Sequence, residues 1–211
     1  MGNDVDYKSP KPYLSVEFNH HKAQSILYRH VLLGDLQARD DFMLALNCAT
    51  LNPEGSWRQC RGAGAKLWTL TEGYMLTGGS EDVMKMMKRT VAAGLRHARQ
   101  AGGKGFGHSK GQFMYGLATE GLIRYHWLTG DKDAVEIIKV MNDWLIERDL
   151  NGAVANSAMS MAFLWRQTDD EKYRKAAVRL MALKPVSRPK AFGQEMRSTG
   201  YAWHYLSNPG R

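Results

Sequence analysis

The residues of this chain best suited to gripping a carboxylate are Arg58 and Arg61, one helical turn apart beside a tryptophan in Trp57-Arg58-Gln59-Cys60-Arg61. A guanidinium presents a planar fork of N–H donors, so two at this spacing can close on one anion, with surface ion pairing as the plain alternative. Comparable polar and aromatic groups stand at Asn19-His20-His21, His108-Ser109-Lys110-Gly111-Gln112, Asn156-Ser157 and Gln194-Glu195-Met196-Arg197. Among them the imidazoles of His20, His21 and His108, together with the phenol of Tyr115, are of a type to carry a proton. Asn19, Trp57, Arg58, Arg61, Gln112 and Arg197 are of a type to bind. Each has a structural alternative, since histidines cap and pack, and an aromatic at helical spacing such as Tyr115, Tyr125 or His126 is more often core.

The same inventory argues against a metal or cofactor. His20 and His21 are adjacent, not at the i, i+4 spacing of a helical metal pair, and Cys48 and Cys60 are too far apart for a two-residue knuckle and read as buried thiols. Gly102-Gly103-Lys104-Gly105-Phe106-Gly107-His108 has the glycine density of a phosphate loop. No Lys-Ser/Thr pair follows it and no strand precedes it, so a mobile rim loop is expected instead.

These groups must be positioned by helices. Four times an apolar helical stretch runs into a turn and returns as a second amphipathic stretch, the turns being Leu33-Gly34-Asp35, Thr77-Gly78-Gly79, Thr129-Gly130-Asp131 and Thr168-Asp169-Asp170. Their spacing of roughly 40 to 50 residues suits a helical hairpin plus a loop. The first hairpin runs from near Ser15 to Cys48, with Ala23, Ile26, Leu27, Val31 and Leu32 on one face. The second pairs 63–76 with 80–100, where Ser80 reads as the N-cap before Glu81 and Asp82. The third pairs 113–128 with 132–148, whose Ala134, Ile137, Ile138, Met141, Trp144 and Leu145 trace a single apolar stripe. The fourth pairs 155–166 with 170–183; Pro185 and Pro189 then punctuate a loop, and a fifth opening helix spans 195–206. Residues 1–14, with Pro10 and Pro12, read as an extended lead-in to a helical domain over 15–211.

No such hairpin buries its apolar stripe alone, so the fold expected is all-α, with stacked hairpins forming a partial or closed (α/α) toroid. A closed ring needs about six units, which makes this chain either a partial ring or a piece of a larger one. The helix before each turn is the more apolar, with Gly64, Ala65, Gly116, Ala118, Ala158 and Ala162, and is expected to form the inner layer. The leading ends of these inner helices then meet at one rim, where unpaired N–H groups, arginines and histidines suit an anionic ligand.

With 211 residues, 44% of them apolar, the chain fits one soluble domain, and no segment approaches the roughly 20 apolar residues of a membrane span. The opening Met1-Gly2-Asn3-Asp4-Val5-Asp6 lacks a signal peptide's basic region and apolar core, and the compartment stays open. A formal charge of +8 favours an anionic partner, yet Lys and Arg are spread along the chain rather than blocked together, which ranks nucleic acid last.

The phrase Gln112-Phe113-Met114-Tyr115-Gly116-Leu117, followed by Gly121-Leu122-Ile123-Arg124-Tyr125 and Leu128-Thr129-Gly130-Asp131, resembles the helical hairpin of (α/α) toroid domains in carbohydrate-active enzymes. The likeness is to polysaccharide lyases, unsaturated-uronyl hydrolases and rhamnogalacturonan exolyase-like proteins, and covers most of residues 18–206. It implies an acidic polysaccharide or oligosaccharide as partner and flanking β-rich domains outside this chain. The reaction it implies first is β-elimination: Arg58, Arg61 or Asn19 neutralises the uronate carboxylate while His20, His108 or a tyrosine takes the neighbouring proton. Hydrolysis on the same fold instead needs inner-face carboxylates to converge, the candidates being Glu17, Glu72, Glu120 and Glu195, with Glu120 also placed to pair with Arg124. A non-catalytic scaffold binding glycan or protein is the rival from another class.

Overall fold

The computed structural model describes residues 23–51, 57–106, 113–151, 153–183 and 189–208. Among these, all regular structure is helical: α1 (Gln24–Leu33), α2 (Leu36–Leu51), α3 (Cys60–Leu76), α4 (Glu81–Ala101), α5 (Phe113–Thr129), α6 (Lys132–Glu147), α7 (Ala158–Thr168), α8 (Glu171–Met181) and α9 (Pro189–Ser207). Short 3-10 turns at Trp57–Gln59, Gly103–Phe106 and Ala155–Ser157 precede or bridge them.

All four hairpin turns form where the repeat places them. Gly34 and Gly130 take the left-handed conformation that ends α1 and α5, and in the fourth turn Asp169 takes it instead, at φ 56°. In the first, third and fourth hairpins the aspartate after the bend caps the return helix: Asp35 accepts from the N–H of Ala38, Asp131 from that of Asp133 and Asp170 from that of Lys172. In the first and third hairpins a histidine four residues before the glycine, His30 or His126, binds the carbonyl beyond it through Nδ1, at 3.0 and 2.9 Å. Ser80 departs from expectation, because it precedes α4 without a side-chain capping bond and leaves Glu81 and Asp82 to meet the helix dipole.

Of the helices before the bends, α3, α5 and α7 are enclosed over most of their length, with Ala158 to Trp165 of α7 buried without a break, while α1 is largely exposed; α4, α6 and α8 bury one stripe and leave the rest to solvent. Successive opening helices pack on one another, α3 on α5, α5 on α7 and α7 on α9, and α4 lies beside α6 behind them. The closest approach is between α3 and α5, where a Cβ on Gly64 would meet the backbone of Ala118 and one on Gly121 would meet the carbonyl of Gly64. Only glycine lets two helices come so near.

Three expectations are corrected. Val31 and Leu32 do not share the buried face of Ala23 and Leu27: they are 64% and 78% exposed, because nothing among the described residues packs on that side of the first hairpin. Residues 103–106 form a packed turn rather than a mobile rim, with Phe106 fully buried and Gly103 against Trp144. The last helix begins at Pro189, not in a loop beyond it, since proline's fixed φ and missing N–H suit the first helical turn. The lead-in over 1–14 lies outside the described residues.

Candidate functional site

Four charged side chains from three opening helices converge on one tryptophan. On α3, Trp68 and Glu72 sit one turn apart, and the indole Nε1–H donates to Glu72 Oε1 at 3.1 Å. On α5, Glu120 and Arg124 share the same i, i+4 spacing, and Arg124 Nη2 lies 3.5 Å from Glu120 Oε1. Because α3 and α5 touch through their glycines, Arg124 also reaches across to Glu72, with Nη1 3.2 Å from Oε1. Arg197 arrives from α9 and grips both oxygens of Glu120, Nε to Oε1 at 2.8 Å and Nη2 to Oε2 at 2.6 Å. Such a fork is the strongest form of guanidinium–carboxylate contact. The guanidinium carbons of Arg124 and Arg197 stand 4.2 and 4.7 Å from the centre of the Trp68 ring.

This group is enclosed. Glu72, Glu120 and Arg124 side chains are 10%, 6% and 13% exposed, and Arg197 opens further, to 31%. Burying two carboxylates costs heavily unless cations accompany them, and here two guanidiniums balance two carboxylates. Arg124 has one donor to spare: its buried Nε–H has no hydrogen-bond partner among the described residues.

Tyr28 of α1 borders the same group. Its hydroxyl is held above the ordinary phenol range first by burial and then by the charge of Glu72, with Arg124 and Arg197 opposing and Tyr201 adding to the rise. It therefore keeps its proton at neutral pH. Arg197 owes its place to its neighbour: Ser198 Oγ donates to the carbonyl of Asn156 at 2.8 Å and accepts from the N–H of Met159 at 3.1 Å, pinning α9 to the leading end of α7.

Of the residues singled out from the sequence, Arg197, Glu72 and Glu120 belong to this group, and Glu120 pairs with Arg124 as its i, i+4 spacing predicts. Arg58 is exposed and Arg61 half-buried at the leading end of α3, about three turns before Glu72. Trp57 is not a loop residue open to sugar: it is buried, donates Nε1–H to the carbonyl of Thr90 at 3.0 Å, and meets Phe106 edge to face at 5.9 Å. Tyr115 is likewise buried, its hydroxyl donating to the carbonyl of Gly103 at 2.6 Å and its ring stacked on Trp144. The hydroxyl is pushed well above its usual range by burial. Asn19, His20, His21, His108 and Gln112 lie outside the described residues. Among the described residues no cluster of three or more His, Cys, Asp or Glu could hold a metal ion.

Trp68, Arg124 and Tyr28 were not singled out in advance as site residues. The signal for Trp68 and Arg124 was present as two i, i+4 pairs, Trp68/Glu72 and Glu120/Arg124, on successive opening helices, whereas Tyr28 carried none. Comparison of the chain with protein-family models, with curated proteins and with solved structures finds no match.

Proposed function

We propose that this chain is the (α/α) toroid of a carbohydrate-active enzyme that acts on an acidic polysaccharide, cleaving it by β-elimination. One observation carries the reading: Arg197 of the last opening helix reaches past α7 to Glu120 on α5 and Trp68 on α3. An open solenoid keeps such helices apart, whereas a layer curving about an axis brings the last back to the first. At that axis lie an aromatic ring and two guanidiniums, the groups that hold a sugar and its carboxylate.

In this scheme the uronate carboxylate takes the place of Glu120 on Arg197, and Glu120 keeps Arg124. Neutralising the carboxylate acidifies the C5–H; a base removes that proton, the C4–O bond breaks with its electrons leaving on oxygen, and a C4=C5 double bond forms. The protonated phenol of Tyr28 is suited to give the leaving oxygen its proton. His20 and His108 remain the candidates for the base.

Hydrolysis is the second reading, favoured by one feature: Glu72 and Glu120, two of the carboxylates such a reaction would need, are both bound to Arg124. The two are separated by incubating the full chain with polygalacturonate, alginate and chondroitin sulfate. Ultraviolet absorbance from unsaturated ends, lost in Arg197→Ala, supports elimination; reducing ends without that absorbance, lost in Glu72→Gln, support hydrolysis. Neither signal on any polymer counts against the enzyme, and retained glycan binding then favours a non-catalytic scaffold.

A further inference from the structure

The charged group is not the end of the aromatic surface. One turn beyond Arg124 on α5 stands Trp127, and one turn beyond Arg197 on α9 stands Tyr201, so both helices continue from arginine to aromatic in the same direction. The two rings are 5.7 Å apart and tilted by 47°. Trp127 is 46% exposed, yet it is held: its Nε1–H donates to the hydroxyl of Tyr205 at 2.9 Å. Tyr205 in turn packs edge to face on Phe163 of α7, 6.0 Å away. A large exposed indole ordinarily buries its ring or swings freely. This one is fixed with much of its surface open to solvent.

Arg166 stands one turn beyond Phe163 on α7, the residue on which Tyr205 packs. Its charge is felt by the Tyr205 hydroxyl, which burial holds above its usual range and which Arg166 draws down. Arg166 is half-buried and has no carboxylate or hydrogen-bond partner among the described residues, in contrast to Arg124 and Arg197. The surface thus consists of fixed aromatic rings between paired arginines and a cation that makes no ion pair among the described residues.

We infer that Trp127, Tyr201 and Arg166 form a second sugar subsite, which stacks a pyranose ring of the acidic glycan on Trp127 and takes its carboxylate or sulfate on Arg166. The inference rests on the proposed function, because it places this subsite next along a chain whose first uronate lies on Arg197. Aromatic faces attract the C–H face of a sugar, and a partly desolvated guanidinium without a counter-charge gains most from an anion. Affinity should therefore grow with oligosaccharide length until both subsites are filled.

Calorimetric titration of the full chain tests this with disaccharides and hexasaccharides from polygalacturonate, alginate and chondroitin sulfate. The wild-type chain is expected to bind the hexasaccharide of at least one series more tightly than its disaccharide. Trp127→Ala is expected to weaken that hexasaccharide about tenfold while leaving the disaccharide unchanged, and Trp127→Phe to restore most of the loss. Arg166→Gln should weaken the acidic hexasaccharide but not its methyl-esterified form. Trp127→Ala and Arg166→Gln binding like wild type, while Arg197→Ala binds weakly, would overturn the subsite and leave the proposed function standing. An equal loss on both lengths would also overturn it. Absence of binding to any of these glycans by the wild-type chain sinks the proposed function and the subsite together.

Discussion

The guanidinium of Arg197 lies 4.7 Å from the centre of the Trp68 ring, joining the last helix to the second hairpin. Beside them, Glu120 is bound at both oxygens by Arg197 and approached by Arg124. The arrangement makes Glu120 the shared anion of two cations, with consequences for stability that do not depend on any ligand.

Removing that anion by Glu120→Ala leaves two guanidiniums facing each other without their common partner. The expected loss is about 3 kcal/mol, in the range for breaking a buried ion pair. Glu120→Gln, which keeps a hydrogen-bond acceptor, should cost less. Urea unfolding of the three proteins decides; an alanine variant as stable as wild type would show that the cluster does not hold the helices together.

The α3–α5 contact gives a sharper geometric test. Gly64→Ala places a methyl against the backbone of Ala118, which cannot yield as a side chain would, and is expected to cost about 1–3 kcal/mol. Gly200→Ala, on a helix with no atom within 4 Å of the added carbon, should instead gain about 0.5–1 kcal/mol. Thermal denaturation should rank the two variants on opposite sides of wild type.

Trp57→Phe is expected to behave as a core substitution. It removes the hydrogen bond to Thr90 and trims a fully packed ring, at a cost of about 1–2 kcal/mol. Glycan affinity measured below the unfolding transition should be unchanged; a selective loss of binding with intact stability would return Trp57 to the ligand-binding residues.

Acid should loosen the outer helices through Asp143. Burial alone would raise its carboxyl, yet hydrogen bonds from Lys139, Tyr173 and Lys172, at 2.7, 2.6 and 3.0 Å, hold it below the ordinary aspartate value. A carboxyl depressed in the folded state adds stability above its unfolded value, about pH 4, and that contribution fades as pH falls through the folded value. Asp143→Asn should therefore lose stability at pH 7, and its urea midpoint should fall less between pH 7 and pH 3 than that of wild type.

If Tyr28 gives the leaving oxygen its proton, Tyr28→Phe should lower kcat for elimination about a hundredfold while leaving glycan affinity near wild type. Equal kcat in the variant would remove the phenol from the scheme. A rise in Kd with unchanged kcat would make it a binding residue.

Much of the helical scaffold was legible from local chemistry. Gly34 and Gly130 supply a backbone that other residues adopt at a cost, and Asp35, Asp131 and Asp170 cap the helices that follow, so three of the four bends are written in three consecutive residues. Apolar spacing likewise separates the central opening helices α3, α5 and α7, enclosed over most of their length, from the return helices α4, α6 and α8 with one buried stripe. These are interactions within one or two turns, and a chain reads them without knowing its neighbours.

The site was decided elsewhere. Glu72 and Arg124 meet only because glycines at 64 and 121 let α3 and α5 approach, and Arg197 reaches Glu120 only because Ser198 pins α9 to α7. Residues around the helix starts drew attention for their polarity, but Trp57 and Tyr115 prove buried and hydrogen-bonded to backbone carbonyls. Residue type tells what a side chain can do. Which side chains share a space is set by how helices distant in sequence pack, and that requires the tertiary structure.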